Sequence, residues 1–293
     1  MKKKSAGAGS LFIITAGIFW ASMGLFVRAL GAYDFDSFQI AAFRLSIAAI
    51  GFMLLLAARG KNGFKIRPKD IPLFLGLGLG SIAVMTCCYF TAIRILTMSA
   101  AAILLYTSPI WVIVMSVLFL HERITRHKIV ALAFAFGGCI LVSGLGSGTV
   151  NAAGFIVGVV SGIAYGLYSI LGNIALRRYS SYTVTAYAFA FAALGILLFA
   201  KPAEMMQKIA VIEHLPRFIL LVISIGVVTA IIPYLLYTLG LETVEPSRAA
   251  ILATIEPMMA TVLGIIIYHE GMNIASIFGI LCILAAIFIL NRK

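Results

Sequence analysis

The sequence predicts an all-α integral membrane protein: ten transmembrane helices arranged as two inverted five-helix repeats. Three observations predict it. Of the 293 residues, 62% are hydrophobic and only 11% are charged, too little polar surface to cover a soluble core of this length. Long, continuously apolar runs recur from near residue 10 to residue 290. Each can cross a hydrocarbon layer of roughly 30 Å, which takes about 20 helical residues, and their continuity excludes the alternating pattern of a β-barrel. Finally, a segment of the first half recurs in the second at a fixed offset of 148.

The elements follow in order. The start, "MKKKSAGAGSLFIITAGIFWASMGLF", has the basic tip of a signal peptide. Its apolar part is too long and no small-x-small cleavage site ends it, so it is expected to stay as the first span, 10–30. Spans 36–58, 71–93, 98–120 and 127–144 complete the first half. "GLGLG" at 76–80 is not a phosphate loop, because it lacks the Lys-Ser/Thr ending and a preceding strand. The Gly/Ser-rich "SGLGSG" at 143–148 marks the joint, so the repeats are expected at 1–147 and 148–293. The second half brings spans 153–174, 182–200, 217–240, 247–268 and 273–290, with short loops between them. Gly154, Gly158, Gly162 and Gly166 form a stripe on span six, and Gly76 and Gly80 a shorter one on span three. Such stripes allow close helix approach; their alternative role is a sliding seam between the halves.

Charge placement sets the orientation. The net charge is +12, but no basic, aromatic-interleaved domain lies outside the apolar runs, so nucleic acid is excluded. With the N-terminus in the cytoplasm, sixteen Lys and Arg fall inside, in or beside loops such as 59–70. Four fall outside: Arg94, Lys201, Lys208 and Arg217. The bias predicts both termini in the cytoplasm, loop 59–70 inside and loop 201–216 outside. "RPKD" at 67–70 and "RRY" at 177–179 read as orientation signals.

The repeat predicts the function class. "SAAAILLYTSPIWVIVMSVLFLHE" (99–122) aligns without a gap on "SRAAILATIEPMMATVLGIIIYHE" (247–270), with nine identities that pair Pro109 with Pro257 and His121–Glu122 with His269–Glu270. Tyr89 and Tyr237 match at the same offset, and "GIFW" at 17–20 parallels "GIAY" at 162–165. Five spans per half is an odd number, so the second half enters the membrane from the opposite side. Inverted repeats are the usual construction of secondary transporters, since exchanging the conformations of the halves exchanges the open side.

"FWASMGLFVRA" (19–29), "FRLSIAAI" (43–50), and the Ala-rich stretches leading through Pro109 to Glu122 and through Pro257 to Glu270 resemble the EamA domains of the drug/metabolite transporter superfamily. The resemblance covers nearly the whole chain as two EamA halves. It implies a carrier of small organic metabolites, with export of amino acids or related amines favoured and some importers among the relatives.

Candidate site residues lie near mid-span. Pro109 and Pro257 are expected to kink helices at a central cavity, leaving the carbonyls of Leu105 and Ala253 without their usual donors. Glu256 lies about 14 Å into its span, and its counterpart Ser108 is neutral. A midplane acid must be protonated, paired or wet. It is expected to bind a cationic substrate group or to carry a proton, with Arg44 as the alternative permanent partner. Arg44, about 12 Å down its span, either points into the bundle or snorkels outward. Trp20, Tyr89, Tyr165 and Tyr237 are candidate cavity aromatics, drawn from a set that includes Tyr106, Trp111, Tyr168 and Tyr234. His121–Glu122 and His269–Glu270 read as helix-end anchors, with a proton relay as the alternative.

Cys87, Cys88, Cys139 and Cys282 lie in apolar runs without metal-ligand spacing, so no metal is expected. No cofactor, catalytic triad or ATP-binding motif is expected either. The expected partners are a small-molecule substrate, protons as a candidate coupling ion, and the lipid bilayer. The expected location is a bacterial-type inner membrane, with the chain acting as a monomer. An uptake carrier, a membrane-embedded enzyme and a channel are the rival classes.

Overall fold

A computed structural model describes residues 6–143, 151–269 and 274–291, all helices and connections among these. The expected joint at 147/148, Glu270 and the terminal lysines and arginine lie outside the described residues. Among the described residues, eight helices are long and apolar enough to cross a membrane: α1 (Gly7–Gly31), α2 (Ser37–Ala58), α3 (Pro68–Ile95), α4 (Met98–Leu120), α5 (Arg126–Ser143), α6 (Ala152–Leu176), α9 (Leu215–Leu241) and α10 (Pro246–Tyr268). Between α6 and α9 stand α7 (Ser181–Leu197) and the short α8 (Pro202–Ala210), bent by 85° from each other. The last helix, α11 (Ile274–Asn291), is apolar but shorter. Among the described residues the expected ten spans are matched by length and composition at eight, or at nine if α7 and α8 count as one broken span. The expected plain loop at 201–216 contains α8. Its Glu204 and Lys208 pair at 3.0 Å across one turn, and Lys208 Nζ donates to the Asp34 carbonyl at 2.6 Å.

Large apolar side chains face outward, among them Leu54, Leu118, Phe119, Ile156, Leu194 and Leu198. On a water-facing surface such a belt would be untenable; in hydrocarbon it is the required coat. The chain is a multi-pass membrane protein.

Helix pairing obeys a two-fold exchange. α5 lies along α11, and α2 along α7. α1 packs on α9 and α10, just as α6 packs on α3 and α4. α2 meets α9 as α7 meets α3. Swapping the halves maps α2–α7 and α5–α11 onto themselves and every other pair onto its counterpart, as the two-repeat arrangement requires.

Local irregularities repeat too. α3 is π-helical over Gly76–Ala83 and α9 over Val227–Ile231, overlapping at the 148 offset. α4 breaks after Leu105 and restarts at Ser108; α10 breaks after Leu252 and restarts at Ile255. Their far ends reach His121 at φ 57° and His269 at φ 54°, a left-handed conformation that closes a helix and is uncommon for a non-glycine residue. The prolines do not kink continuous helices. They sit in the first turn of each restarted half-helix, where backbone N–H groups lack partners anyway.

The glycines explain how the breaks are covered. A Cβ on Gly162 would lie 2.6 Å from Thr107 Oγ1 and 2.7 Å from the Leu104 carbonyl, and one on Gly158 2.4 Å from Leu104. The stripe on α6 is thus where the second half lies against the broken helix of the first. Gly17 does the same in reverse, its missing Cβ 2.4 Å from Ile255. That is the structural content of the "GIFW"/"GIAY" match. On α3 the tightest approach belongs to Gly78 rather than Gly76 or Gly80: its missing Cβ would meet the Ala188 carbonyl of α7 at 2.5 Å.

Candidate functional site

The break in α10 places Glu256 in the first turn of the restarted half-helix. A carboxylate there faces the positive end of the helix dipole. Glu256 Oε2 accepts a hydrogen bond from the Tyr165 hydroxyl at 3.1 Å. Both line a cavity of about 410 Å³, together with Trp20, Arg44, Tyr89 and Tyr106. The cavity extends along the ends of α1, α3, α4 and α5 that carry Val27, Ile93, Met98 and Ser143.

Arg44 points into the bundle and is buried, only 6% exposed. Its seat follows from a proline. Pro233 has no N–H, so the Thr229 carbonyl four residues earlier loses its ordinary helical donor. Arg44 Nη2 donates to that carbonyl at 2.9 Å, and Nε donates to Thr229 Oγ1 at 3.0 Å. The guanidinium also lies 5.8 Å from the Tyr234 ring centroid, within cation–π range. Among the described residues, Arg44 and Glu256 form no ion pair with each other or with another charged group. An arginine and a carboxyl group therefore face the same cavity without an ion pair between them.

The aromatic wall is packed edge-on. Trp20 meets Tyr234 at 5.0 Å and Tyr165 at 6.3 Å between centroids, both T-shaped. Such contacts hold rings in place while leaving a rigid, largely apolar surface. Trp20 Nε1 is buried with no hydrogen-bond partner.

Of the expected site residues, the structure brings Trp20, Arg44, Tyr89, Tyr165, Glu256 and Pro257 to one cavity. Tyr237 does not line it; its hydroxyl pairs with Ser169 at 2.7 Å, and its ring packs on Trp20. Pro109 is buried away from the cavity in α4. The sequence reading missed Thr229 and Pro233 as the seat of Arg44. Pro233 inside an apolar run was the available signal, since a mid-span proline frees a carbonyl that something must satisfy.

At the opposite end the cavity helices are tied by an ionic cluster. Lys128 Nζ, at the start of α5, donates to Glu122 Oε2 at 3.2 Å and to Glu245 Oε2 at 2.6 Å. Ser247 also donates to Glu122. The cluster joins α4 and α5 of the first half to α10 of the second. Among the described residues no group of three or more His, Cys, Asp and Glu could hold a metal ion.

The family model of the EamA-like transporter family matches residues 7–144 and 152–292. An uncharacterized transporter from Archaeoglobus fulgidus is 28% identical over 290 residues, 97% of either chain. The uncharacterized transporter YwfM of Bacillus subtilis is 26% identical, covering 96% of this chain and 93% of its own. A solved crystal structure at 18% identity superposes with a TM-score of 0.81 over 98% of this chain and 97% of its own, showing the shared fold. With both halves matched and relatives that are transporters, this protein is a transporter rather than an enzyme, and it belongs to the EamA-like transporter family.

Proposed function

We propose that this chain is a secondary active transporter that exports amino acids or related amines by alternating access. One observation carries the reading: Glu256 and Arg44 face one aromatic-walled cavity of about 410 Å³ and are not spent on each other. An ammonium suits Glu256 and a carboxylate suits the arginine fork. The aromatic surface accepts an organic side chain, and the volume fits a small metabolite. Glu256 serves the cationic group of the substrate or the coupled proton; protons are the proposed coupling ion.

In this reading α7 and α11 complete ten spans as two inverted repeats, in a bacterial-type inner membrane with both termini cytoplasmic. The Lys128 cluster then closes the cytoplasmic end while the cavity faces outside. Alternating access reverses this by exchanging the conformations of the two halves.

The test is a counterflow screen in proteoliposomes, preloaded in turn with unlabelled amino acids and amines and offered labelled ones, each orientation assayed. Saturable counterflow of an amine-bearing solute supports the reading. Conversion of the solute, or flux without counterflow, contradicts it, and substrate moving inward in cells marks an uptake carrier instead.

A further inference from the structure

A second cavity, of about 580 Å³, lies far from Glu256, between the α2–α3 connection and the α6–α7 corner. Four cations line it: Arg59, Lys65, Arg67 and Arg178. Only Arg178 has an acid, Asp70 at 3.0 Å. Among the described residues, Arg59, Lys65 and Arg67 have no carboxylate partner. The orientation rule accounts for how many cations these loops carry. It does not account for their convergence on one cavity with fixed walls.

The walls are built. Thr183 Oγ1 donates to the Gly63 carbonyl at 3.0 Å, and the Tyr187 hydroxyl donates to the Phe64 carbonyl at 2.8 Å. The Arg67 backbone N–H donates to the Tyr179 hydroxyl at 3.0 Å, and that hydroxyl donates to Asp70 at 2.7 Å. Arg59 is held before any ligand arrives: its guanidinium stacks 3.6 Å from the Tyr182 centroid and Nη2 donates to the Tyr182 hydroxyl at 2.7 Å. Leu56 and Ile66 give the same cavity an apolar side.

We propose that this pocket binds a phosphate-bearing ligand, the headgroup of an anionic lipid or a soluble phosphate compound. Several guanidinium forks and an ammonium around one space match an anion with many acceptor oxygens. The volume far exceeds a bare phosphate and suits a headgroup-sized molecule. Basic pockets at the cytoplasmic ends of helices are where anionic lipids bind, and the apolar side would take the glycerol and first methylenes. Because the α2–α3 connection belongs to the first half and the α6–α7 corner to the second, an occupied pocket ties the halves together.

The test uses the purified full chain in detergent. Thermal unfolding is followed while phosphatidylglycerol, phosphatidylcholine or inorganic phosphate is titrated. Parent, Lys65→Gln, Lys65→Gln/Arg67→Gln and Arg217→Gln are compared, the last removing an exposed cation at the other end of the molecule. The expected result is a saturable rise on the order of 5 °C in parent and Arg217→Gln. It falls by half or more in the single or double pocket variant and is absent with phosphatidylcholine. A rise with phosphatidylglycerol alone identifies a lipid headgroup; a rise with inorganic phosphate as well identifies a soluble phosphate. No rise with either probe, or an equal rise in parent and pocket variants, overturns the proposal. Lys65 is exposed and bonds no backbone group, so its single variant keeps the test intact if the double variant does not fold.

Discussion

The two broken helices, α4 and α10, share a backbone and differ in chemistry. Each breaks at the same repeat position, restarts with a proline in its first turn and ends on a left-handed histidine. Each break is covered by a glycine of the other half, Gly162 over α4 and Gly17 over α10. Yet Glu256 stands where α4 has Ser108, and the lysine that ties one end, Lys128, corresponds to Ser276. Glu245 likewise corresponds to Thr97. In the proposed alternating-access cycle the shared features would let the two halves trade conformations. The differences place an acid at one break and an ionic tie at one end, so in that cycle the two conformations would not be equivalent.

The largest expected effect comes from removing the tie. Lys128→Ala leaves Glu122 nearly buried without its cation. Breaking a buried pair costs about 3–5 kcal/mol, lowered here because Glu245 is 60% exposed in its side chain. The expected outcome is a weakened closed end, read as at least tenfold faster labelling of a cysteine placed at Ser247 by a membrane-impermeant reagent from that side. Unchanged labelling would show that the tie does not close the end.

Next is Gly162→Ala, whose methyl would meet the Leu104 carbonyl. Overpacking of this kind costs about 1–3 kcal/mol. Gly17→Ala meets chiefly Ile255 Cγ2, a side-chain methyl rather than a backbone carbonyl, and should cost less. Thermal unfolding of both variants checks the order; a larger loss in Gly17→Ala would break the equivalence drawn between the two breaks.

Arg44→Lys keeps charge but cannot reach both Thr229 oxygens with one planar fork. A loss of about 1 kcal/mol in stability is expected, one hydrogen bond's net worth, with a clear fall in transport. Wild-type stability and transport in this variant would remove Arg44 from the site. The smallest effect belongs to Ser108→Ala, which removes one buried hydroxyl and is expected within about 1 kcal/mol of the parent, with unchanged transport.

Much of this was legible because the repeat is written in residues that apolar bias does not favour. Pro109, Pro257 and the His–Glu pairs aligned without a gap, and they mark the breaks and ends that the structure duplicates. Glu256 and Arg44 stood out because charge is costly at their depth. The rest depends on contacts distant in sequence or on backbone geometry with no residue signature. Arg44 reaches Thr229 across 185 positions. The π-helical turns of α3 and α9 leave little trace in the residues beyond Gly78 and the adjacent Pro233. Tyr237 matched Tyr89 in the repeat, yet it faces Ser169 while Tyr89 faces the cavity, because equivalent positions see different neighbours once the cavity opens on one side. α8 escaped notice because nine residues with Glu204, Gln207 and Lys208 are too short and polar to read as a span.

The central claim is that the acid at the break of α10 handles the cargo or its coupled proton. Its most direct test is counterflow of the best amine-bearing substrate in proteoliposomes at two pH values, comparing parent with Glu256→Gln at matched amounts of folded protein. Loss of a charge-assisted contact of about 1.5–3 kcal/mol predicts a fall of roughly ten- to a hundredfold, or loss of the pH dependence. A Glu256→Gln protein that matches the parent in both rate and pH dependence would contradict the account and leave the acid a structural part of α10.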